Sequence, residues 1–332
     1  MNRWRNRPDG SNWGDFGPSD QVGKMNLVTP ERRRAAAAEI REGIAFCLSL
    51  PLEYPGYSER LSGTRKPPQL FAPGSYNSLS GPRNHDYSEV ICDDGVVLCT
   101  QYSTQWDALS HYGRLFDLAG DGREQKTYYN GFTADDFIQP DQDGGPIALS
   151  LGIQNLATTC VQGRGVMVDL ATAFGSGRRW VGYEDFMSAM DCQKVTVEPG
   201  DFLMIHTGFG HAVMEMGEAV DVDRLNGTGA VLDGADERLL RWIADSDVAV
   251  ICSDNQAVEG FDVMGERQGT EMLLPLHDLC LFKQGIHLGE LWYLSELAQW
   301  LAENRRNTFM LTAPPLRLTG AVGSPATPVA TV

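Results

Sequence analysis

The stretch QYSTQWDALSH, residues 101–111, places two glutamines, an aspartate and a histidine directly after the apolar run VVLC. If residues 96–107 form one strand, side chains alternate between its faces. Gln101, Ser103, Gln105 and Asp107 then share one face, with Tyr102, Thr104 and Trp106 on the other. A row of amide, hydroxyl and carboxylate oxygens is costly to bury without partners. A divalent cation would satisfy it, although a strand edge facing solvent shows the same alternation. A second segment, LPLHDLCLFKQGIHLGELWYLSELA, sets His277 and Glu290 either side of an apolar stretch, a KQG turn and an IHLG strand. Two carboxylates, one imidazole and two amide oxygens would balance a 2+ charge and leave room for a water or a substrate.

The elements that must carry these residues are read from pattern. Residues 1–30 form an irregular arm rich in Gly, Pro, Asp, Ser and Asn. Thr29 and Pro30 are a helix-start signal for ERRRAAAAEIREG, which ends at Gly43. AFCLSLPLE (residues 45–53), VVLCTQYSTQ, GRGVMVDL, FLMIHTGF and VAVICSD read as strands. Residues 54–85 read as a long loop. YEDFMSAM (residues 183–190), DERLLRWIADS (residues 236–246) and LWYLSELAQWLAENRRN (residues 291–307) read as helices. Strands and helices intermix without regular βαβ alternation, which predicts a mixed α/β domain over residues 1–318. Residues 319–332, TGAVGSPATPVATV, lack a core pattern and are expected to be a flexible tail or an arm over a neighbouring subunit.

Composition narrows the function classes. The chain has 332 residues, a hydrophobic fraction of 42% and a net charge of −17. That charge repels phosphate backbones and anionic membranes, so neither a nucleic acid nor a membrane surface is an expected partner. No run approaches the length of a membrane span. The polar N-terminus lacks the apolar middle of a signal peptide, so the expected location is the cytoplasm. The seven cysteines contain no CxxC pair and are expected to be buried free thiols.

With these motifs in hand, the chain resembles the cyclase family of metal-dependent hydrolases, which includes kynurenine formamidase, isatin hydrolase and trans-dienelactone hydrolase. Against the family signature HxGTHxDxPxH, QYSTQWDALSH keeps Thr104, Asp107 and His111. Gln101 and Gln105 replace its metal-binding histidines, Ser103 its glycine and Leu109 its proline. The pattern QxxxQxD with a downstream Hx12E looks most like the trans-dienelactone hydrolase branch. GSNWGDFGPSDQVGKMNLVTPE, GRGVMVDL, GDFLMIHTG and GIHLGELWYLSELA extend the likeness over nearly the whole chain.

The resemblance implies a swivelling β/β/α fold and a metal centre held by Gln101, Gln105, Asp107, His277 and Glu290. Zinc is the first expectation, and an oxygen-rich shell equally fits manganese. By its place in the motif, His111 matches the family's acid–base histidine. The implied reaction opens a small cyclic ester or amide. An arylformamidase-type activity on linear amides, or a metal-free relative that only binds a small ligand, are the alternatives. Family relatives are commonly dimers or larger, so self-association is expected.

Other residues have two readings each. Trp106, Tyr128, Tyr129 and Asn130 are candidate pocket walls, against packing into the core. His206 reads as a hydrogen-bonded core histidine, and His287 as either support for the site or a packed strand residue. His211 could line the cleft, His85 sits in a loop that could close over the pocket, and Asp254 marks a strand end near a cleft.

Overall fold

The computed structural model describes residues 3–72, 93–138, 147–217, 219–260 and 272–332; His85 and Cys92 lie outside them. Its centre is a nine-stranded sheet. In chain order the strands are β1 (Ala45–Cys47), β2 (Gln105–Asp107), β3 (Gln162–Asp169), β4 (Phe202–His206), β5 (Val250–Ser253), β6 (His287–Glu290), β7 (Thr308–Thr312), β8 (Gly323–Pro325) and β9 (Val329–Thr331). Across the sheet they lie β1-β9-β7-β3-β4-β5-β6-β2-β8. β3, β4, β5 and β6 run parallel to one another, whereas the outer strands pair antiparallel. The fold is thus mixed α/β, as the intermixed pattern predicts.

Both faces of the sheet are covered, which explains why its central strands are continuous apolar runs rather than alternating ones. Val166, Val168, Leu203, Ile205, Ile251 and Leu288 join one core with Phe186 and Ala189 of helix Tyr183–Gln193 and with Leu239 and Ile243 of helix Glu237–Asp245. Met167, Phe202, Met204, Val250 and Cys252 join a second core with Trp106, Trp292 and helix Ser295–Glu303. Asp236 caps its helix through the backbone amides of Arg238 and Leu239, and Thr29 caps helix Pro30–Ala37 through Arg32. These are the local signals that place both helix starts. Among the described residues no helix is long and apolar enough to cross a membrane.

Several sequence expectations are corrected. Residues 96–107 are not one strand. Gly95–Val97 pairs with Gln69–Phe71 in a separate ribbon, with Val96 and Val97 exposed, and turns and bends fill residues 100–104 before β2 begins. Val96 and Val97 thus lie on an outlying ribbon despite their apolar composition. The strand expected over residues 45–53 shortens to β1, and the helix expected from residue 291 begins at Ser295. Within the loop expected over residues 54–85, a short helix, Glu59–Ser62, and the strand Gln69–Phe71 form. Of the described cysteines, only Cys252 and Cys280 are buried; Cys47, Cys160 and Cys192 are exposed.

The largest correction concerns residues 319–332. They are not a loose tail. They supply β8 and β9, with Ser324, Ala330 and Val332 wholly buried. β9 fills the place between β1 and β7, and β8 forms the edge beside β2. Small residues suit this position, because a Cβ at Gly323 would collide with the Gln101 amide. A chain ending at Leu318 is therefore expected to lose cooperative unfolding, read as the absence of a sharp thermal transition by circular dichroism. A wild-type-like transition would show that these strands are dispensable.

Candidate metal centre

The site grows from the pairing of β2 with β6. Their antiparallel register sets Gln105 opposite Glu290, Trp106 opposite Gly289 and Asp107 opposite Leu288. Trp106 points into the second core, where its ring packs edge-on against Trp292 at 5.2 Å and its indole donates to the Ala313 carbonyl. Gln105 and Asp107 consequently face the other side of the sheet, together with Glu290. The Gln105 amide donates to Glu290 Oε2 at 2.9 Å and reaches Asp107 Oδ1 at 3.4 Å.

His277 arrives from a helix that begins at Pro275 and widens to π-type geometry over Asp278–Gln284. Such widened turns are uncommon and are frequent at functional sites. Glu259 holds it there. Its carboxylate accepts from the backbone amides of Leu276 and His277 and lies 2.8 Å from His277 Nδ1. That contact fixes the ring and turns His277 Nε2 toward Glu290 Oε1, 3.3 Å away. One ligand atom each from Asp107, His277 and Glu290 lies within 4.8 Å of the others, and all three residues are buried.

Gln105 Oε1 and Asp107 Oδ2 are buried and make no hydrogen bond, and Glu290 Oε1 has only the His277 ring nitrogen nearby, at 3.3 Å. Buried oxygens are normally satisfied. Two carboxylates and an amide oxygen left over beside an imidazole are the ligands a divalent ion takes. The residues present therefore fit a metal ion. The titration behaviour agrees. Burial, and then the charge of Asp107, raise the Glu290 pKa to about 7. Burial works against charge on His277, but hydrogen bonds and charge from Glu259 and Glu290 outweigh it and raise its pKa to about 10. The metal-free pair thus retains protons that a cation would replace.

The remaining candidates separate. His111 follows β2 directly, is partly exposed, and brings Nε2 to 3.8 Å from Asp107 Oδ1. Burial lowers its pKa, and Asp107 only partly offsets this. Gln101 lies in the turn before β2, where its Oε1 accepts from Thr100 and its buried Nε2 has no hydrogen-bond partner. The broken strand therefore removes the shared face expected for Gln101 and Gln105. Trp106 is a core residue rather than a pocket wall. Tyr129 is also buried in the core, and Asn130 is used inside the fold, accepting from Gly14 and donating to Gly17 and Asp20. Tyr128 alone of the four is half-buried, close beside Gly113.

His206 sits between Asp169 (2.8 Å) and Ser295 (3.1 Å) in a buried hydrogen-bonded position. His287 Nδ1 donates to the Asp107 carbonyl at 3.1 Å, and burial lowers its pKa to about 4. Asp254 is consumed by the amides of Thr207, Gly208 and Gly210 and by the Thr207 hydroxyl. His211 is exposed and pairs with Glu215. Sequence reading missed Glu259 and Tyr112. Glu259 stands in SDNQAVEG, residues 253–260, and only the fold brings it to His277. The Tyr112 ring lies 5.9 Å from the His277 ring, and burial pushes its pKa to about 12.

Because bound ligands must be deprotonated, metal affinity here should rise with pH. Between about pH 10 and pH 7 it is expected to fall roughly tenfold per pH unit, because the ion must displace the His277 proton, and more steeply below about pH 7, where Glu290 is protonated as well. Calorimetry in buffers of different protonation enthalpy should show at least one proton released per ion. Affinity independent of pH would contradict this assignment.

Comparison with known proteins agrees with the geometry. The model of the Cyclase family, described as "Putative cyclase", matches residues 47–260. A crystal structure described as that of a novel cyclase shares 31% identity with a TM-score of 0.76, covering 97% of each chain. Isatin hydrolase A from Ralstonia solanacearum shares 16% identity with a TM-score of 0.56, over 91% of this chain and 97% of that one. Isatin hydrolase A from Labrenzia aggregata, bound to benzyl benzoate, shares 13% with a TM-score of 0.57, over 90% and 95%. At those identities the two hydrolases share the fold alone. No curated protein matches.

Proposed function

Because the chain belongs to the cyclase family, we propose that it is a metal-dependent hydrolase that opens a small cyclic ester or cyclic amide. The observation that carries this reading is the buried group of Asp107, His277 and Glu290, with unpartnered oxygens and His111 at its edge. Isatin, which names two proteins of the same fold, is itself a cyclic amide. A lactone is the first substrate class to test, on the strength of the QxxxQxD pattern.

Asp107, His277 and Glu290 would hold the ion, with Gln105 Oε1 as a further oxygen ligand. A bound divalent cation supplies Lewis acidity toward a carbonyl and lowers the pKa of a coordinated water. Zinc is the first ion to test, on the resemblance to the trans-dienelactone hydrolase branch, and manganese the second, since an amide oxygen is a poorer donor to zinc than an imidazole nitrogen and an oxygen-rich shell fits manganese. His111 moves the proton. Its lowered pKa keeps the imidazole neutral near pH 7, so Nε2 accepts a proton from the attacking water. It then returns that proton to the ring oxygen or nitrogen as the carbonyl C–O or C–N bond breaks. The products are a carboxylate and a free hydroxyl or amine. Glu259 acts indirectly by fixing the His277 ring, and Gln105 keeps Asp107 and Glu290 apart through its amide.

Asp107→Ala and His277→Ala are expected to lose bound metal, measured by elemental analysis of the purified proteins. His111→Ala should retain metal and lose about 10²- to 10⁴-fold in kcat toward lactones. A wild-type rate in His111→Ala would remove its acid–base role. Protein that holds less than about half an ion per chain after supplementation would count against the metal centre itself.

A further inference from the structure

On the face of the sheet opposite the metal centre, a serine, a histidine and an aspartate stand in hydrogen-bonded sequence. Asp169 ends β3 and His206 ends β4, side by side in register. Each continues the row of its strand that enters the second core, Met167 in β3 and Phe202 and Met204 in β4. Helix Ser295–Glu303 packs on that same face and opens with Ser295. His206 Nδ1 lies 2.8 Å from Asp169 Oδ1, and its Nε2 lies 3.1 Å from Ser295 Oγ.

Asp169 also accepts from the Thr172 amide at 2.9 Å and from the Thr172 hydroxyl at 2.6 Å, which fixes its carboxylate as an acceptor. His206 Nδ1 therefore donates to it, and in the neutral ring Nε2 is left to accept from the Ser295 hydroxyl. That is the tautomer a general base needs beside a serine nucleophile. Asp254 Oδ2 stands 4.0 Å from Nε2, near enough to favour positive charge on the ring. No side chain caps the helix, so its first-turn amides, which lack intrahelical acceptors, are available to an oxyanion formed beside Ser295. Ser295 and Asp169 are partly exposed, and Thr172 and Glu296 are exposed, so the group opens to solvent.

We propose that Ser295, His206 and Asp169 form a second hydrolytic centre, independent of the metal, that cleaves esters of small uncharged acyl groups. Asp169, Asp254 and Glu296 disfavour an acyl group that carries a carboxylate. Ser295 Oγ bonds to the ester carbonyl carbon as its proton passes to His206 Nε2. The bond to the alcohol oxygen then breaks, and the alcohol leaves with that proton, so the acyl group stays on Ser295. Water attacks this acyl ester and gives a proton to His206, which returns it to Ser295 as the acid departs. Burial disfavours charge on His206, but Asp169 and Asp254 outweigh it and raise its pKa. The neutral ring that acts as base therefore gains population as pH rises beyond the ordinary histidine range.

The test uses full-length, metal-supplemented protein, and the same protein with chelator, against a fluorophosphonate probe and p-nitrophenyl acetate. The probe is expected to attach at Ser295, located by peptide mass spectrometry, equally with and without chelator and faster as pH rises. The ester should release a burst of about one p-nitrophenol per chain before slower turnover. Ser295→Ala should abolish both signals. His206→Gln should slow labelling by about 10²- to 10⁴-fold while keeping a wild-type-like thermal transition. Wild-type protein that is unlabelled, or labelled elsewhere than Ser295, would overturn the proposal without any variant. A labelling rate unchanged in His206→Gln, or lost with chelator, would do so as well. Because labelling needs no metal, its outcome is separate from that of the lactone reaction.

Discussion

Asp107 and Glu290 are buried together, and two carboxylates in that position repel one another strongly unless something intervenes. Most of the architecture around the site answers that one repulsion. The Gln105 amide donates toward both groups, His277 sets a nitrogen against Glu290, and Glu259 secures the opposite nitrogen of the same ring. Even so, one oxygen of Asp107 and that of Gln105 make no hydrogen bond. A cation would resolve both the repulsion and the unmet oxygens.

Holding those charges requires rigid backing on each side. Behind β2 and β6, the edge-on pair of Trp106 and Trp292 fills the second core. A Cβ at Gly289 would strike Trp292, so the strand opposite Trp106 must be bare there. The π-type segment after His277 is braced by the N-terminal arm. Asn12 donates to the Gln284 carbonyl at 2.9 Å and the Trp13 indole to the Phe282 carbonyl at 2.7 Å. The arm has little secondary structure beyond one 3₁₀ turn, Gly23–Leu27, but it buries Trp13 and Met25. Its irregular backbone lets side chains reach a widened helix whose own hydrogen bonding is incomplete.

The rim differs from the floor. His111 and Tyr112 are partly exposed, and Arg114 faces Asp278 at 3.7 Å. Buried carboxylates would set the affinity for a cation, while His111 stands at the edge of the group, 3.8 Å from Asp107.

By itself, the sequence determined the fold class, the starts of helices Pro30–Ala37 and Glu237–Asp245, and the association of Asp107 with His277 and Glu290 through a spaced motif. These are local or pattern-borne properties: a cap, an apolar period, a fixed interval between ligand types. Tertiary structure decided the rest. It split residues 96–107 into an exposed ribbon and a buried strand, and so took Gln101 off the face it was expected to share with Gln105. It drew Trp106, Tyr129 and Asn130 into the interior, where an apolar pattern cannot distinguish a pocket wall from a core. It turned residues 319–332 into two strands, because short runs of small side chains become strands only when neighbours offer their edges. Glu259 reached His277 by the same rule, since contact between distant residues depends on sheet register and helix placement that no local pattern encodes.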